Sequence, residues 1–84
     1  MQRLGRVLHI SSSRNLVVKI ENLPKIGQPV VDDSLRMVGR VFDIIGPVSS
    51  PYASVRPETK QPEKLVNKTL YTAPQKGERR RHTR

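Results

Sequence analysis

Histidine, carboxylate and hydroxyl side chains are the groups with which this chain could perform chemistry, and their spacing does not support catalysis. His9 and His82 lie far apart in the sequence, so the two histidines do not have the spacing of metal ligands. Asp32 and Asp33 are adjacent, and adjacent side chains in a strand or turn point apart rather than towards one substrate atom. The favoured interpretation of this aspartate pair is a turn. We therefore predict no catalytic residue and no metal site.

Three further features are also better explained without catalysis. Ser11 to Ser13 lie in a predicted loop with no neighbouring base, so nucleophilic catalysis has no support. Asp43 lies in an apolar segment, where a solvent-facing charge that protects a strand edge is the favoured interpretation. Gly39 and Gly46 are not followed by Lys-Ser or Lys-Thr and do not form a phosphate-binding loop. We expect a protein that is not an enzyme and takes no cofactor and no small-molecule substrate.

The charge balance indicates an acidic partner. Sixteen Lys and Arg against seven Asp and Glu give the 84 residues a net charge of +9. RNA is the first candidate partner, although a basic surface also simply aids solubility. Five basic residues of the C-terminal tail are the possible RNA contacts, and a solvated tail without RNA contact is the alternative. They are Lys76, Arg79, Arg80, Arg81 and Arg84.

Length and composition predict one small domain. Residues 1–74 are expected to fold and residues 75–84 to form a basic, disordered tail. The chain has no cysteine, so disulfides and thiolate metal sites are excluded. No apolar run approaches the roughly 20 residues of a membrane helix, and the N-terminus lacks the apolar region of a signal peptide. We expect a soluble cytoplasmic protein that a partner stabilises.

Six short segments have the pattern of strands, and Gly, Pro, Ser and Asp separate them. Valine, isoleucine and leucine supply 22 residues, whereas only three residues are aromatic, which favours a small core of β-branched side chains. A short helix is expected to begin near Pro62. This pattern predicts an all-β antiparallel barrel or sandwich. The predicted strands are 3–10, 16–20, 29–31, 37–45, 52–56 and 68–73.

The segment 37–45 is apolar on both faces if its side chains alternate regularly. One face would carry Met37, Val41 and Ile45, and the other Val38, Phe42 and Ile44. A sheet with one solvated face needs only one apolar face. The second face therefore indicates either a strand inside a barrel or a surface that contacts another protein.

The same region carries a family resemblance. Val38-Gly39-Arg40-Val41, Ile44-Ile45-Gly46-Pro47-Val48 and Pro51-Tyr52 resemble the Gar family, the glycine/arginine-rich-domain subunit of box H/ACA small ribonucleoproteins. The resemblance extends over about residues 4–73. It implies a six-stranded barrel similar to the second domain of translation elongation factors. Weaker matches are Pro24, Ile26, Gly27, Val30 and Asp32 before the motif, and Lys68, Leu70 and Tyr71 after it.

The resemblance also implies a function. Because long Gly/Arg-rich extensions are missing, the chain resembles the archaeal core form, which would act in the cytoplasm of an archaeal cell. Such a subunit binds the dyskerin-type pseudouridine synthase and assists substrate loading and product release during guide-RNA-directed modification of rRNA. Contact with the guide RNA would be indirect or through the tail. A small basic ribosomal or translation-factor-like barrel that binds rRNA directly is the alternative.

The residues expected to face the synthase come from the motif, and some of them must belong to the core instead. They are Val41, Phe42, Ile44, Ile45, Gly46, Pro47, Val48, Pro51 and Tyr52.

Overall fold

Six antiparallel strands close into a barrel in the computed structural model, which describes residues 1–74. Around the barrel the strand order is β1-β2-β5-β4-β3-β6, and β6 pairs with β1 to close the sheet. The predicted all-β barrel is confirmed, and each predicted strand boundary lies within one residue of the observed one. The strands are β1 (Gln2–Ile10), β2 (Leu16–Ile20), β3 (Pro29–Val31), β4 (Met37–Ile45), β5 (Tyr52–Pro57) and β6 (Thr69–Thr72).

Local turn chemistry explains where the strands end. One carboxylate oxygen of Asp32 accepts hydrogen bonds from the backbone N–H groups of Ser34 and Arg36, both at 2.9 Å. This aspartate therefore closes the β3–β4 turn, as its predicted role requires. A single turn of 3-10 helix, Pro62–Leu65, precedes β6 and has proline in its first turn.

The barrel interior is filled by small aliphatic side chains. Valine dominates because a narrow six-stranded barrel has room for one layer of branched residues from each strand. No side-chain nitrogen or oxygen that is buried within residues 1–74 lacks a hydrogen-bond partner. The core residues are Leu4, Val7, Leu16, Val18, Val30, Val38, Val41, Ala53, Val55 and Leu70.

Two register shifts on β4 correct the predicted alternation of its side chains. Against β3, Val31 pairs with Met37 and Val30 with Gly39, so Val38 is an extra residue on β4. Such a bulge re-aims the side chains that follow it. As a result Val38 and Val41 both point into the core, although regular alternation predicts opposite faces.

The second shift exposes an aromatic ring. Against β5, Val41 pairs with Val55 and Asp43 with Ser54, which leaves Phe42 as the extra residue. Phe42 is exposed over 53% of its surface. The predicted division of side chains between the two faces of β4 is therefore wrong, because the bulges place the two buried valines on one side.

Two glycines allow the strands to approach each other closely. A Cβ on Gly5 would overlap the carbonyl oxygen of Lys19, and a Cβ on Gly39 would overlap that of Arg56. Gly5 also has a φ of +148°, which other residues rarely adopt. These positions fix β1 against β2 and β4 against β5. The described residues include no helix with the length and apolarity that a membrane crossing needs.

Candidate functional site

An exposed apolar surface lies at the end of β4 and on the loop that follows it. Phe42, Ile45 and Val48 are exposed apolar residues within this segment, and we call them together the apolar surface. Ile45 is 41% exposed and Val48 is 98% exposed, the highest value among the large exposed hydrophobic residues. Exposure of apolar side chains to water is energetically unfavourable, and several of them in one segment of a small domain are typical of a protein-binding site.

The loop between β4 and β5 is held in one shape by its backbone. The N–H of Ser50 donates to the carbonyl oxygen of Pro47 at 3.1 Å, which closes a turn around Val48. Gly46 has a φ of +90°, and a Cβ there would lie 3.0 Å from the ring of Tyr52. The ring therefore packs against the glycine. Pro47, which begins the turn, and Pro51, which follows it, restrict the backbone of the loop further. The backbone around Val48 therefore has little conformational freedom left to lose.

The structure divides the predicted synthase-facing residues into three groups. Val41 is only 2% exposed and packs in the core, so it is one of the motif residues that were expected to belong to the core rather than to a partner surface. Half-buried positions are Ile44, Pro51 and Tyr52. Exposed positions are Phe42, Ile45, Gly46, Pro47 and Val48. For these eight residues, contact with a partner stays a prediction.

Asp43 is an exposed charged residue on β4, between Phe42 and Ile44. Its carboxylate accepts a hydrogen bond of 2.8 Å from the backbone N–H of Ile44, and the residue is exposed. The predicted solvent-facing charge is thus what the structure shows. Residues 1–74 contain no group of three or more His, Asp or Glu side chains that could hold one metal ion.

The sequence analysis did not predict a basic pocket at the C-terminal end of β5, the end farther from the β4–β5 loop. The pocket has a volume of about 420 Å³. Three cationic side chains, Arg14, Arg56 and Lys60, line it together with neutral groups, and we call it the basic pocket. The neutral lining residues are Ser13, Asn15, Pro57, Thr59 and Pro62.

Among the described residues, the cations of the basic pocket differ from Arg3 and Arg40, whose charges are paired. Arg3 pairs with Glu21 at 3.6 Å, and Arg40 pairs with Glu58 at 3.8 Å. Within the described part of the chain, no cation of the basic pocket forms an ion pair. These exposed ion pairs add little stability, yet they neutralise their surroundings, whereas the basic pocket keeps its positive charge.

The barrel, the apolar surface and the basic pocket all lie within the region that one family model matches. The model of the Gar1/Naf1 RNA binding region matches residues 1–82. The chain belongs to the Gar1/Naf1 family. Membership predicted from the motif on β4 is thus confirmed, and the Gar1/Naf1 region also includes most of the basic tail. The tail residues predicted to contact RNA, Lys76, Arg79, Arg80, Arg81 and Arg84, lie outside the residues that the structure describes.

An archaeal relative agrees with the assignment to the Gar1/Naf1 family. An uncharacterized protein of Methanothermobacter thermautotrophicus (strain Delta H) is 33% identical over 75 residues. The alignment covers 84% of this chain and 82% of that protein, so the two chains have similar lengths. This relative is consistent with an archaeal Gar1-type protein.

Proposed function

We propose that this chain is a noncatalytic subunit of an archaeal box H/ACA ribonucleoprotein. In this role it binds the dyskerin-type pseudouridine synthase and assists guide-RNA-directed pseudouridylation of rRNA in the cytoplasm. The observation that carries the proposal is the apolar surface, displayed on a fixed loop of a Gar1/Naf1-family barrel.

The apolar surface suits a protein partner better than RNA. Burying a fully exposed valine such as Val48 stabilises a complex by about 1.5–3 kcal/mol, and a polyanion offers little apolar area to bury it. An aromatic side chain such as Phe42 is also typical of the energetically dominant residues of protein interfaces. Because the loop is already ordered, its side chains lose little conformational freedom on binding.

The effect of such a subunit on catalysis must be indirect. A protein that supplies no reacting group can change a rate only by binding two states of its partner with different affinities. We place this effect in substrate loading and product release, which are steps that conformational changes commonly limit. Contact with the guide RNA is proposed to be indirect or through the basic tail.

A second candidate function is favoured by the charge of the chain. A net charge of +9 and membership in a family described as RNA binding also fit a small barrel that binds rRNA directly. The two candidates differ in what holds the chain to its target: apolar contact in the first and phosphate contact in the second.

Calorimetric titration against a purified archaeal dyskerin-type synthase separates these candidates. Both proteins are treated with nuclease first, and the titration is repeated at 100 and 500 mM KCl. We expect a stoichiometric complex whose affinity changes little with salt, since apolar burial is not screened. No binding without RNA, together with salt-sensitive binding to an rRNA fragment, would overturn the proposal in favour of the second candidate.

A further inference from the structure

The basic pocket is built by two segments that are far apart in the sequence. Arg14 lies in the β1–β2 loop, whereas Arg56 and Lys60 belong to the end of β5 and the segment after it. Pairing of β2 with β5, in which Leu16 faces Val55, brings these segments together. The fold therefore gathers three positive charges that the sequence keeps apart.

Hydrogen bonds hold the Arg14 side of the pocket in place. The N–H of Arg14 donates to the carbonyl oxygen of Ser11 at 2.8 Å, and Arg14 has a left-handed φ of 68°. The side-chain amide of Asn15 donates to the hydroxyl oxygen of Ser54 on β5 at 3.1 Å. This bond ties the loop to the strand that carries Arg56, so the backbone segments that carry the two cations are held together.

No carboxylate of residues 1–74 lines the pocket. Glu58 and Glu63 each adjoin a lining residue in sequence, but neither lines the pocket. The carboxylate of Glu58 pairs with Arg40, and its backbone N–H donates to the carbonyl oxygen of Val38 at 2.7 Å. A second hollow on the barrel, about 450 Å³, differs in this respect. It contains Glu21, which pairs with Arg3. The positive charge of the basic pocket is therefore available to an anionic ligand.

We propose that the basic pocket binds a backbone phosphate of RNA. Arginine presents donors in a planar fork that fits phosphate oxygens, and lysine adds a mobile point charge. Hydroxyl groups of Ser13 and Thr59 supply neutral donors. A volume of about 420 Å³ exceeds what one protein carboxylate fills and lies in the usual range of small-molecule sites.

The position of the pocket favours RNA over an acidic protein. Its lining residues all lie within the region that the family model describes as RNA binding. An adjoining hollow of about 230 Å³, lined by Ser13, Asn15, Phe42 and Arg56, connects it to the edge of the apolar surface. RNA in the pocket would therefore run beside a protein bound to that surface. This inference does not depend on which protein occupies the apolar surface.

Two matched triple variants of the full chain test the proposal. The pocket variant carries Arg14→Gln, Arg56→Gln and Lys60→Gln. The control carries Arg6→Gln, Arg36→Gln and Lys68→Gln, which removes the same charges from exposed positions outside the pocket. Binding of a fluorescent octauridylate is followed by anisotropy between 50 and 300 mM KCl. Circular dichroism checks that both variants fold.

We expect the pocket variant to lose at least about tenfold in affinity at 50 mM KCl. Its slope of log K against log salt should fall by about 0.7, because that is the contribution of one single-strand phosphate contact. The control should lose less than about threefold. Equal losses in the two variants would show that only overall charge matters and would overturn the proposal.

A measurement on the wild-type chain keeps the proposal testable if the pocket variant does not fold. Backbone amide resonances of Arg14, Asn15 and Thr59 should shift when octauridylate is added, whereas those of Ser49 and Ser50, on the β4–β5 loop at the other end of β5, should not. Shifts with inorganic phosphate but none with RNA would mean that the pocket takes only free phosphate. A pocket variant with unchanged RNA affinity but weakened synthase binding would assign the pocket to an acidic protein surface. Either result would contradict the proposal.

Discussion

Val41 and Val48 carry the same side chain, yet the structure gives them opposite roles, and replacing each by alanine separates stability from binding. Val41 is 2% exposed inside the barrel, and Val48 is 98% exposed on the β4–β5 loop. Both changes remove the same two methyl groups. Any difference between the variants therefore comes from location alone.

The expected magnitudes follow from these exposures. Val41→Ala removes two buried methyl groups, worth about 0.8 kcal/mol each, and leaves a cavity, so the free energy of unfolding should fall by about 2 kcal/mol. A domain of this size has about 4–12 kcal/mol in total, so the variant should still fold. Val48→Ala should change the free energy of unfolding by less than about 0.5 kcal/mol.

Synthase binding should show the reverse order. Val48→Ala removes apolar area from the proposed interface and should weaken binding by about 1–2 kcal/mol, or about five- to thirtyfold. Val48→Asp would also bury an unpaired carboxylate and should weaken binding more than thirtyfold. Val41→Ala should bind with nearly wild-type affinity, because its surface is unchanged.

Urea denaturation followed by circular dichroism measures the first quantity, and calorimetric titration of the synthase measures the second. Wild-type affinity in a stable Val48→Ala variant would remove Val48 from the interface. Wild-type stability in Val41→Ala would refute its position in the core. Either result would contradict the division of the motif residues.

Other predictions concern the barrel, the hairpin and the tail. Gly5→Ala should destabilise the barrel by more than about 3 kcal/mol, because the new Cβ overlaps the carbonyl oxygen of Lys19 at a strained φ; a wild-type urea midpoint would contradict this. Asn15→Ala removes the hydrogen bond to Ser54, so the free energy of unfolding should fall by about 1 kcal/mol and amide exchange in the β1–β2 loop should become faster. Unchanged exchange would show that the bond does not hold the loop. Deletion of residues 75–84 should flatten the salt dependence of RNA binding by the holo-complex while synthase affinity stays the same, and an unchanged slope would mean that the tail does not contact RNA.

Most of the fold could be predicted from the sequence because its turns are chemically explicit. Prolines, glycines and Asp32 end the strands, and the side chain of Asp32 visibly closes its turn. Strand boundaries therefore followed from local residues. The faces of β4 did not, because a bulge depends on how one strand pairs with two neighbours, and neither Val38 nor Phe42 has a local signal that marks it as the extra residue.

The candidate sites show the same division between local and distant information. The exposed Gly46-Pro47-Val48 turn was predicted because its residues are consecutive. Arg14 and Arg56 meet only because β2 pairs with β5, which is not its neighbour in sequence. A count of charges does not show which strands pair, so the basic pocket could be recognised only once the strand order of the barrel was known.

Pseudouridine formation measured under single-turnover and multiple-turnover conditions tests the central claim most directly. Purified dyskerin-type synthase and guide RNA are assayed with and without the chain. The chain should raise the multiple-turnover rate more than the single-turnover rate, since the proposed function places its effect in loading and release rather than in the chemical step. Equal acceleration of both rates, or pseudouridine formation by the chain alone, would contradict the account.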